Sequence, residues 1–230
     1  MRVADILAFA AHPDDAEIGA GGALARHARQ GYEVVVVDLT LGELASNGSP
    51  EERRRESIEA ARILGLAARE CLRLPDRDLE PTAERVRTVA EAVRKWRPRL
   101  VLGPSTEDRH PDHAAAARLV REGVFSAGLP RYPARGEAHR VGRLVRYFVN
   151  APGRPDFVVD VSEVYEVKLA ALAAYSSQFG PGWHATPLNR GYLEWVELRD
   201  SWYGSLVGAA RAEGFEWDGT LAVSDLVTQL

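Results

Sequence analysis

The sequence is poor in cysteine and lacks a long apolar run, and each absence excludes a class of protein. One cysteine among 230 residues cannot form an intramolecular disulfide, so a disulfide-stabilised scaffold is excluded. The apolar run near the N-terminus, residues 6–11, is too short to cross a bilayer. We therefore expect no transmembrane segment, no cleavable signal and a cytoplasmic protein. No internal repeat or low-complexity tract divides the chain, which predicts one domain over residues 1–230.

An excess of positive charge is also missing. The chain has 29 lysines and arginines against 33 aspartates and glutamates, which gives a formal net charge of −4. Nucleic-acid binding needs a basic surface, so we expect no nucleic-acid partner. Because the apolar run is too short to cross a bilayer, we also expect no membrane partner. The hydrophobic content of 46% is ordinary for a soluble globular protein. This charge balance does not exclude a local basic pocket for a small anionic substrate.

Apolar runs alternate with helical patterns through the first half of the chain. Strands are predicted at residues 6–11, 34–40, 71–75 and 100–105, and helices at residues 16–30, 50–65, 82–96 and 110–124. This alternation predicts an α/β, Rossmann-like fold with a mostly parallel sheet and helices on both faces. Further on, we predict strands at residues 144–150 and 156–162 and one amphipathic helix at residues 162–179. An irregular C-terminal extension then holds four of the five tryptophans.

Two motifs with histidine and aspartate follow strands of this predicted sheet. "HPDD" (residues 12–15) follows the first strand, and "DRHPDH" (residues 108–113) follows the fourth. Ligands of doubly wound sheets bind at the carboxyl ends of the strands, so we expect the two motifs to converge there. Imidazoles and a carboxylate are typical ligands of a catalytic zinc, which keeps one position for water and needs a base beside it. The motifs therefore predict a catalytic metal site.

The glycine run "GAGG" (Gly19–Gly22) has a competing interpretation as a dinucleotide phosphate loop. That fingerprint requires G-x-G-x-x-G directly after the strand. Here seven residues intervene, three of them acidic, and Leu24 stands in place of the third glycine. Carboxylates at a helix start would repel a pyrophosphate. Close packing of the helix on the sheet explains these glycines more simply.

The stretch "AHPDDAEIGAGG" together with "DRHPDH" resembles the zinc-dependent N-acetylglucosaminyl deacetylases of the LmbE-like family. "DLTLGELASNG", "LPDRDL" and "VKLAALAAYSSQF" are similar to the branch that deacetylates N-acetylglucosaminyl-malate in bacillithiol biosynthesis. The resemblance spans nearly the whole chain and implies this reaction and a homo-oligomer, with a hexamer favoured. Two alternatives stay open. One is deacetylation of another N-acetylglucosaminide, an inositol conjugate or a chitooligosaccharide, and the other is a non-catalytic metal-binding module.

The resemblance also implies the roles of the motif residues. It assigns the metal, zinc or another divalent ion such as Fe²⁺, to three ligands: His12, Asp15 and His113. Asp14 is then the general base, and His110 stabilises the oxyanion or protonates the leaving amine. We expect Asp112 to orient an imidazole, as carboxylates near metal ligands commonly do.

Four further residues are expected to bind substrate: Glu43, Arg53, Asp76 and Arg109. Arg53 falls near the start of the second helix, where the family places an arginine that binds the sugar or its anionic aglycone. A guanidinium fork matches the carboxylates of malate. Glu43, in the "GE" pair, is expected to accept hydrogen bonds from sugar hydroxyls.

Overall fold

The computed structural model describes residues 3–181, 184–220 and 224. Its strands are β1 (Ile6–Ala10), β2 (Val34–Asp38), β3 (Ala68–Cys71), β4 (Leu100–Pro104), β5 (Arg143–Tyr147), β6 (Phe157–Asp160) and β7 (Ala212–Trp217). Its α-helices are α1 (Asp15–Arg29), α2 (Pro50–Leu64), α3 (Ala83–Trp96), α4 (Pro111–Ala127), α5 (Tyr165–Ala173), α6 (Ser176–Phe179) and α7 (Tyr192–Ser205). Two short 3₁₀ turns cover Ser162–Val164 and Pro187–Asn189.

All these strands form a single sheet in the order β3-β2-β1-β4-β5-β7-β6. The first five strands in this order run parallel, whereas β7 is antiparallel to both of its neighbours. After β1 the chain continues to β2, which lies on one side of β1, whereas β4 pairs with β1 on the other side. The strand order therefore reverses beside β1. This point is where an open α/β sheet provides a ligand crevice.

Helices cover both faces of the sheet, as predicted. Alternate residues of β1 point to opposite faces: Ile6 and Ala8 pack with residues of α1, α2 and α5, while Leu7 and Phe9 pack with residues of α3 and α4. The glycines of "GAGG" allow α1 to approach the sheet closely. A Cβ atom on Gly19 would clash with the ring of Tyr147 in β5, and one on Gly22 would lie only 2.7 Å from Cβ of Val161, which directly follows β6. The close-packing interpretation of these glycines therefore agrees with the structure.

Two predicted elements need correction. The third strand occupies Ala68–Cys71, and residues 72–75, predicted as strand, lie outside it. Arg73 has a φ of 55°, a left-handed conformation that takes the chain out of the sheet. The helix predicted over residues 162–179 is divided into a 3₁₀ turn, α5 and α6. The division lies at Tyr175, whose buried hydroxyl donates to Glu17, and a tertiary contact thus overrides the helical pattern.

The C-terminal segment is more regular than predicted. It supplies α7 and β7, and β7 lies between β5 and β6. Trp183, one of its tryptophans, lies outside the described residues. Among the described residues, no helix is both long and apolar enough for a bilayer crossing.

Candidate metal centre

The two histidine motifs meet at the carboxyl ends of β1 and β4, which are paired neighbours. Oδ2 of Asp15 lies 3.3 Å from Nδ1 of His12, and its Oδ1 lies 3.1 Å from Nε2 of His113. One carboxylate thus contacts both imidazoles. His110 lies beside them, and the three histidines each offer a nitrogen within 4.8 Å of the others. The convergence predicted from the strand order is present.

In His12 and His113, the second ring nitrogen also faces a carboxylate. Nε2 of His12 lies 3.2 Å from Oδ1 of Asp76 and 3.2 Å from Oδ2 of Asp112. Nδ1 of His113 lies 3.1 Å from Oδ1 of Asp108. Metal-binding histidines are typically held in this way, with the free ring nitrogen bonded to a carboxylate that fixes the ring orientation. The arrangement therefore suits metal ligation by both imidazoles.

These contacts show where the structure places several of the expected site residues. Asp112, expected to orient an imidazole, lies 3.2 Å from Nε2 of His12. Asp76, expected to bind substrate, contacts the same nitrogen and also lines the cavity. Glu43 is exposed and lies outside the cavity, where its Oε1 accepts the backbone N–H of Asp76 at 2.8 Å. Asp108 was missed by sequence reasoning, although it lies inside "DRHPDH" and could have been recognised as the partner of a nearby imidazole.

Carboxylates dominate the charge of this centre, where five lie together: Asp14, Asp15, Asp76, Asp108 and Asp112. Within the described ranges, the guanidinium groups that contact them are those of Arg53, through Asp14, and Arg77, through Asp112. Burial would lower the pKa of His113, but Asp15 and Asp108 raise it to about 9. Burial likewise opposes protonation of His12, and the neighbouring aspartates raise its pKa well above its usual value. The centre thus favours added positive charge, which a divalent cation would supply.

Asp14 lies at the start of α1 in a strained conformation. Its φ of 112° is left-handed, which is rare for a residue other than glycine and common at functional sites. Nη2 of Arg53 lies 3.2 Å from Oδ2 of Asp14 and also donates to the carbonyl of Pro13. Burial raises the pKa of Asp14 to about 7, although the charge of Arg53 opposes this increase. A carboxylate with this pKa is suited to take up a proton near neutral pH.

His110 lies in the wall of the cavity and is half-buried. Its Nδ1 accepts the backbone N–H of Asp112 at 3.3 Å, so His110 caps α4. Its ring stacks on that of His113, with centroids 4.8 Å apart. Burial lowers the pKa of His110, and the neighbouring imidazoles lower it further. A neutral His110 can donate a hydrogen bond into the cavity from its remaining ring nitrogen.

The centre lies at the bottom of a cavity of about 350 Å³. One wall is formed by the loop around Asn47, whose Nδ2 donates to the carbonyl of His184 at 2.8 Å. Gln178 donates to the carbonyl of Asn47, so α6 and residues 186–188 complete the wall. Arg109 lies at the exposed edge of the cavity, with Nη2 at 3.2 Å from Oδ1 of Asn150. The cavity can therefore hold a small polar molecule above the metal centre.

Comparison with known proteins gives a consistent result. Residues 7–124, which contain both histidine motifs, match the model of the family described as PIG-L, GlcNAc-PI de-N-acetylase. The chain is 32% identical over 231 residues to diacetylchitobiose deacetylase of Thermococcus kodakarensis, covering 94% of this chain and 83% of that protein. It is also 27% identical over 217 residues to a probable N-acetyl-α-D-glucosaminyl L-malate deacetylase 2 of Bacillus cereus, covering 86% and 96% of the two chains.

Among solved structures, the fold is similar to that of the conserved protein TT1542 from Thermus thermophilus. The TM-score is 0.89 at 41% identity, and the match covers 96% of this chain and 98% of that one. The two structures therefore share their architecture over almost their whole length.

Proposed function

Because the chain belongs to the PIG-L, GlcNAc-PI de-N-acetylase family, we propose that it hydrolyses the acetamide of N-acetylglucosaminyl-malate in bacillithiol biosynthesis. In general terms, the protein is a hydrolase that removes the acetyl group from an N-acetylglucosamine conjugate. One observation carries the proposal: a buried carboxylate, Asp14, lies beside the His12–Asp15–His113 group while its partner is an arginine. A site that only bound a metal would not need this additional carboxylate.

His12, Asp15 and His113 would hold the metal, for which we propose zinc, with Fe²⁺ as the alternative. Two imidazoles and one carboxylate form a three-ligand set that leaves a position open. The chemistry that such an ion supplies is activation of water and polarisation of a carbonyl. Asp76, Asp112 and Asp108 would keep the imidazoles oriented.

Asp14 and His110 would move the protons of the reaction. Asp14 takes the proton of the attacking water, and Arg53 holds its carboxylate in place through the contact at 3.2 Å. His110 donates a hydrogen bond to the acetamide oxygen as negative charge develops there. As the C–N bond breaks, the amine nitrogen receives the proton that Asp14 took from the water, and the acetic acid formed ionises to acetate. The free glucosamine conjugate is the second product.

Recognition of malate would fall to arginines other than Arg53. The side chain of Arg53 is 4% exposed, and its Nη atoms already contact Asp14 and two backbone carbonyls, so we assign it to Asp14 and not to a carboxylate of the substrate. Arg77 and Arg109 line the cavity, and the side chain of Arg77 is 49% exposed. We propose that these two guanidinium groups bind the malate carboxylates.

A chitooligosaccharide is the second candidate substrate. It is favoured by the 32% identity to a diacetylchitobiose deacetylase, which extends over 94% of this chain. A neutral sugar would have no need of Arg77 and Arg109. The two candidates therefore differ in their dependence on these arginines.

The proposal includes a cytoplasmic homo-oligomer, with a hexamer favoured. Support for an oligomer comes from α7 and the residue that caps its C-terminus. Leu198, Trp202 and Leu206 recur there at every fourth residue and are 70%, 46% and 53% exposed. Such an apolar stripe is typical of a subunit contact. A net charge of −4 and the single cysteine are compatible with a cytoplasmic protein.

Acetate release from three substrates tests the proposed function. The zinc-loaded protein is incubated with N-acetylglucosaminyl-malate, N,N′-diacetylchitobiose and N-acetylglucosamine. We expect the malate conjugate to give the highest kcat/KM, and Arg109→Ala to lower that value about tenfold without affecting diacetylchitobiose, because a lost charge-assisted hydrogen bond is worth about 1.5 kcal/mol or more. Arg54→Ala, an exposed arginine outside this cavity, is the matched control.

Each other outcome contradicts a different part of the proposal. Equal losses on both substrates in Arg109→Ala would contradict the malate assignment, and a preference for diacetylchitobiose would replace it. No acetate from any substrate, with zinc bound, would contradict the deacetylase activity itself.

A further inference from the structure

Four charged side chains form a fully buried group beneath α1, which we call the C-terminal cluster: Lys168, Arg199, Asp200 and Glu213. Nζ of Lys168 lies 2.6 Å from Oδ2 of Asp200 and 2.7 Å from Oε1 of Glu213. Nε of Arg199 donates to Oδ1 of Asp200 at 2.9 Å. Two positive and two negative charges balance, so the cluster is neutral without an added ion.

The C-terminal cluster contacts the backbone of α1 near its middle. Nη2 of Arg199 donates to the carbonyl of Ile18 at 2.6 Å, and the carboxylate of Glu213 accepts the N–H groups of Gly22 and Ala23 at 2.8 and 2.7 Å. In a regular α-helix the N–H of Gly22 would donate to the carbonyl of Ile18. Both of these groups have side-chain partners here. The backbone held in this way begins at Ile18, at the end of the first turn of α1, and that turn carries Asp15.

The same guanidinium also holds the segment that leads to the other half of the metal centre. Nη1 of Arg199 donates to the carbonyls of Phe148 and Val149 at 3.1 and 2.9 Å. The next residue is Asn150, and its Nδ2 lies 2.9 Å from Oδ1 of Asp108 and 3.3 Å from Nδ1 of His113. One planar group thus joins the backbone on both sides of the centre.

We propose that Arg199 is a positioning residue for the metal centre: it fixes the first turn of α1, with Asp15, relative to the segment 148–150 that supports His113. This inference rests on the proposed function only in taking these residues as metal ligands. Arginine is suited to the role because its rigid fork can donate to three carbonyls at once. Lysine would keep the charge that pairs with Asp200, but it cannot span the carbonyls of Ile18 and Val149.

Arg199→Lys tests the proposal because it separates charge from geometry. Zinc affinity is measured by competition with a chelator, together with kcat and KM for N-acetylglucosamine and the melting temperature of the metal-free protein. We expect zinc affinity to fall by about 10–100-fold, as when partners of metal ligands are removed. We expect kcat to fall while KM changes less than about twofold.

Tyr165→Phe is the matched control within the same region. The Tyr165 hydroxyl donates to Oδ2 of Asp200 at 3.1 Å, so this variant disturbs the C-terminal cluster without removing a bond to α1 or to residues 148–149. We expect its zinc affinity to stay within about twofold of that of the unsubstituted protein. If both variants lost zinc affinity in proportion to their melting temperature, Arg199 would have a general structural role and the proposal would be overturned.

The remaining outcomes are also decisive. Unchanged zinc affinity in Arg199→Lys overturns the positioning role alone, whereas an unsubstituted protein that binds no divalent metal contradicts the metal site and the inference together. If Arg199→Lys does not fold, Arg199→Gln/Asp200→Asn takes its place, because it removes the guanidinium together with the carboxylate that it pairs with and leaves Lys168 paired with Glu213. A similar loss of zinc affinity is then expected, and wild-type affinity would contradict the proposal.

Discussion

The metal centre and the C-terminal cluster are both built from buried charged side chains around α1, but their charges add up differently. In the part of the chain that the structure describes, five aspartates of the centre are contacted by two arginines and otherwise depend on protons taken up by His12 and His113, whose pKa they raise. In the C-terminal cluster, a lysine and an arginine meet two carboxylates. Burying uncompensated charge is costly. An unbalanced cluster therefore indicates a site that takes up a cation, and a balanced one indicates a completed internal support.

The strongest test of this contrast is Asp15→Asn. Asp15 contacts both imidazoles, so its loss removes a proposed ligand and the charge between them. We expect zinc binding to be lost. Acetate release should fall by more than the roughly 100-fold loss that follows removal of a residue bonded to a metal ligand. Asp5→Asn, at the opposite end of β1, is the control and should keep full activity. Retained zinc binding in Asp15→Asn would contradict the ligand assignment.

Lys168→Met should break the balance of the C-terminal cluster. Lys168 is fully buried, and its removal leaves Asp200 and Glu213 with one arginine between them. Breaking a buried ion pair costs about 3–5 kcal/mol in unfolding free energy. Urea unfolding measures this loss. The double variant Lys168→Met/Glu213→Gln restores charge balance and should recover part of it; a single variant as stable as the unsubstituted protein would show that the balance is unimportant.

Lowering the pH should reduce the unfolding free energy through the C-terminal cluster, but by less than Lys168→Met does. Burial would raise the pKa of Asp200, but Lys168 and Arg199 hold it below its usual value. A lowered pKa means that Asp200 contributes stability above the pKa near 3.9 of the unfolded chain, and that this contribution is lost as the pH falls through the folded value. Each unit of pKa shift corresponds to about 1.4 kcal/mol.

Urea midpoints between pH 3 and pH 6 measure this effect in the unsubstituted protein and in Asp200→Asn. Burial raises the pKa of Glu213, which acts in the opposite direction, so the comparison of the two proteins isolates Asp200. We expect a shallower decrease of stability with acid in Asp200→Asn. Parallel curves would contradict the assignment of this pH dependence to Asp200.

Much of the fold was predictable because its signals are local. The β-branched run of β2, the capping box at Ser49 and the glycine after α2 define elements over a few residues each. Their alternation predicts a parallel sheet, and the strand order then brings "HPDD" and "HPDH" to one edge. These steps require only periodicity and chain connectivity.

The parts that sequence reasoning missed depend on contacts between distant residues. Nothing in "AEGFEW" indicates that Glu213 reaches the backbone of Gly22, 191 positions earlier in the chain. Arg53 and Glu43 have the residue types of substrate ligands, but packing gives them Asp14 and the N–H of Asp76 as partners. Residue type limits what a side chain can bind, whereas only its neighbours decide what it does bind.

The sequence by itself therefore determined the chemistry available to this protein: two histidine motifs, their position after two strands, and the family to which they belong. The tertiary structure decided how that chemistry is supported. It placed Asp76, Asp108 and Asp112 against the imidazoles, and it inserted β7 between β5 and β6 so that Arg199 and Glu213 reach α1. Strand insertion and buried pairing are settled by the total free energy of packing, and no local stretch of sequence carries that information.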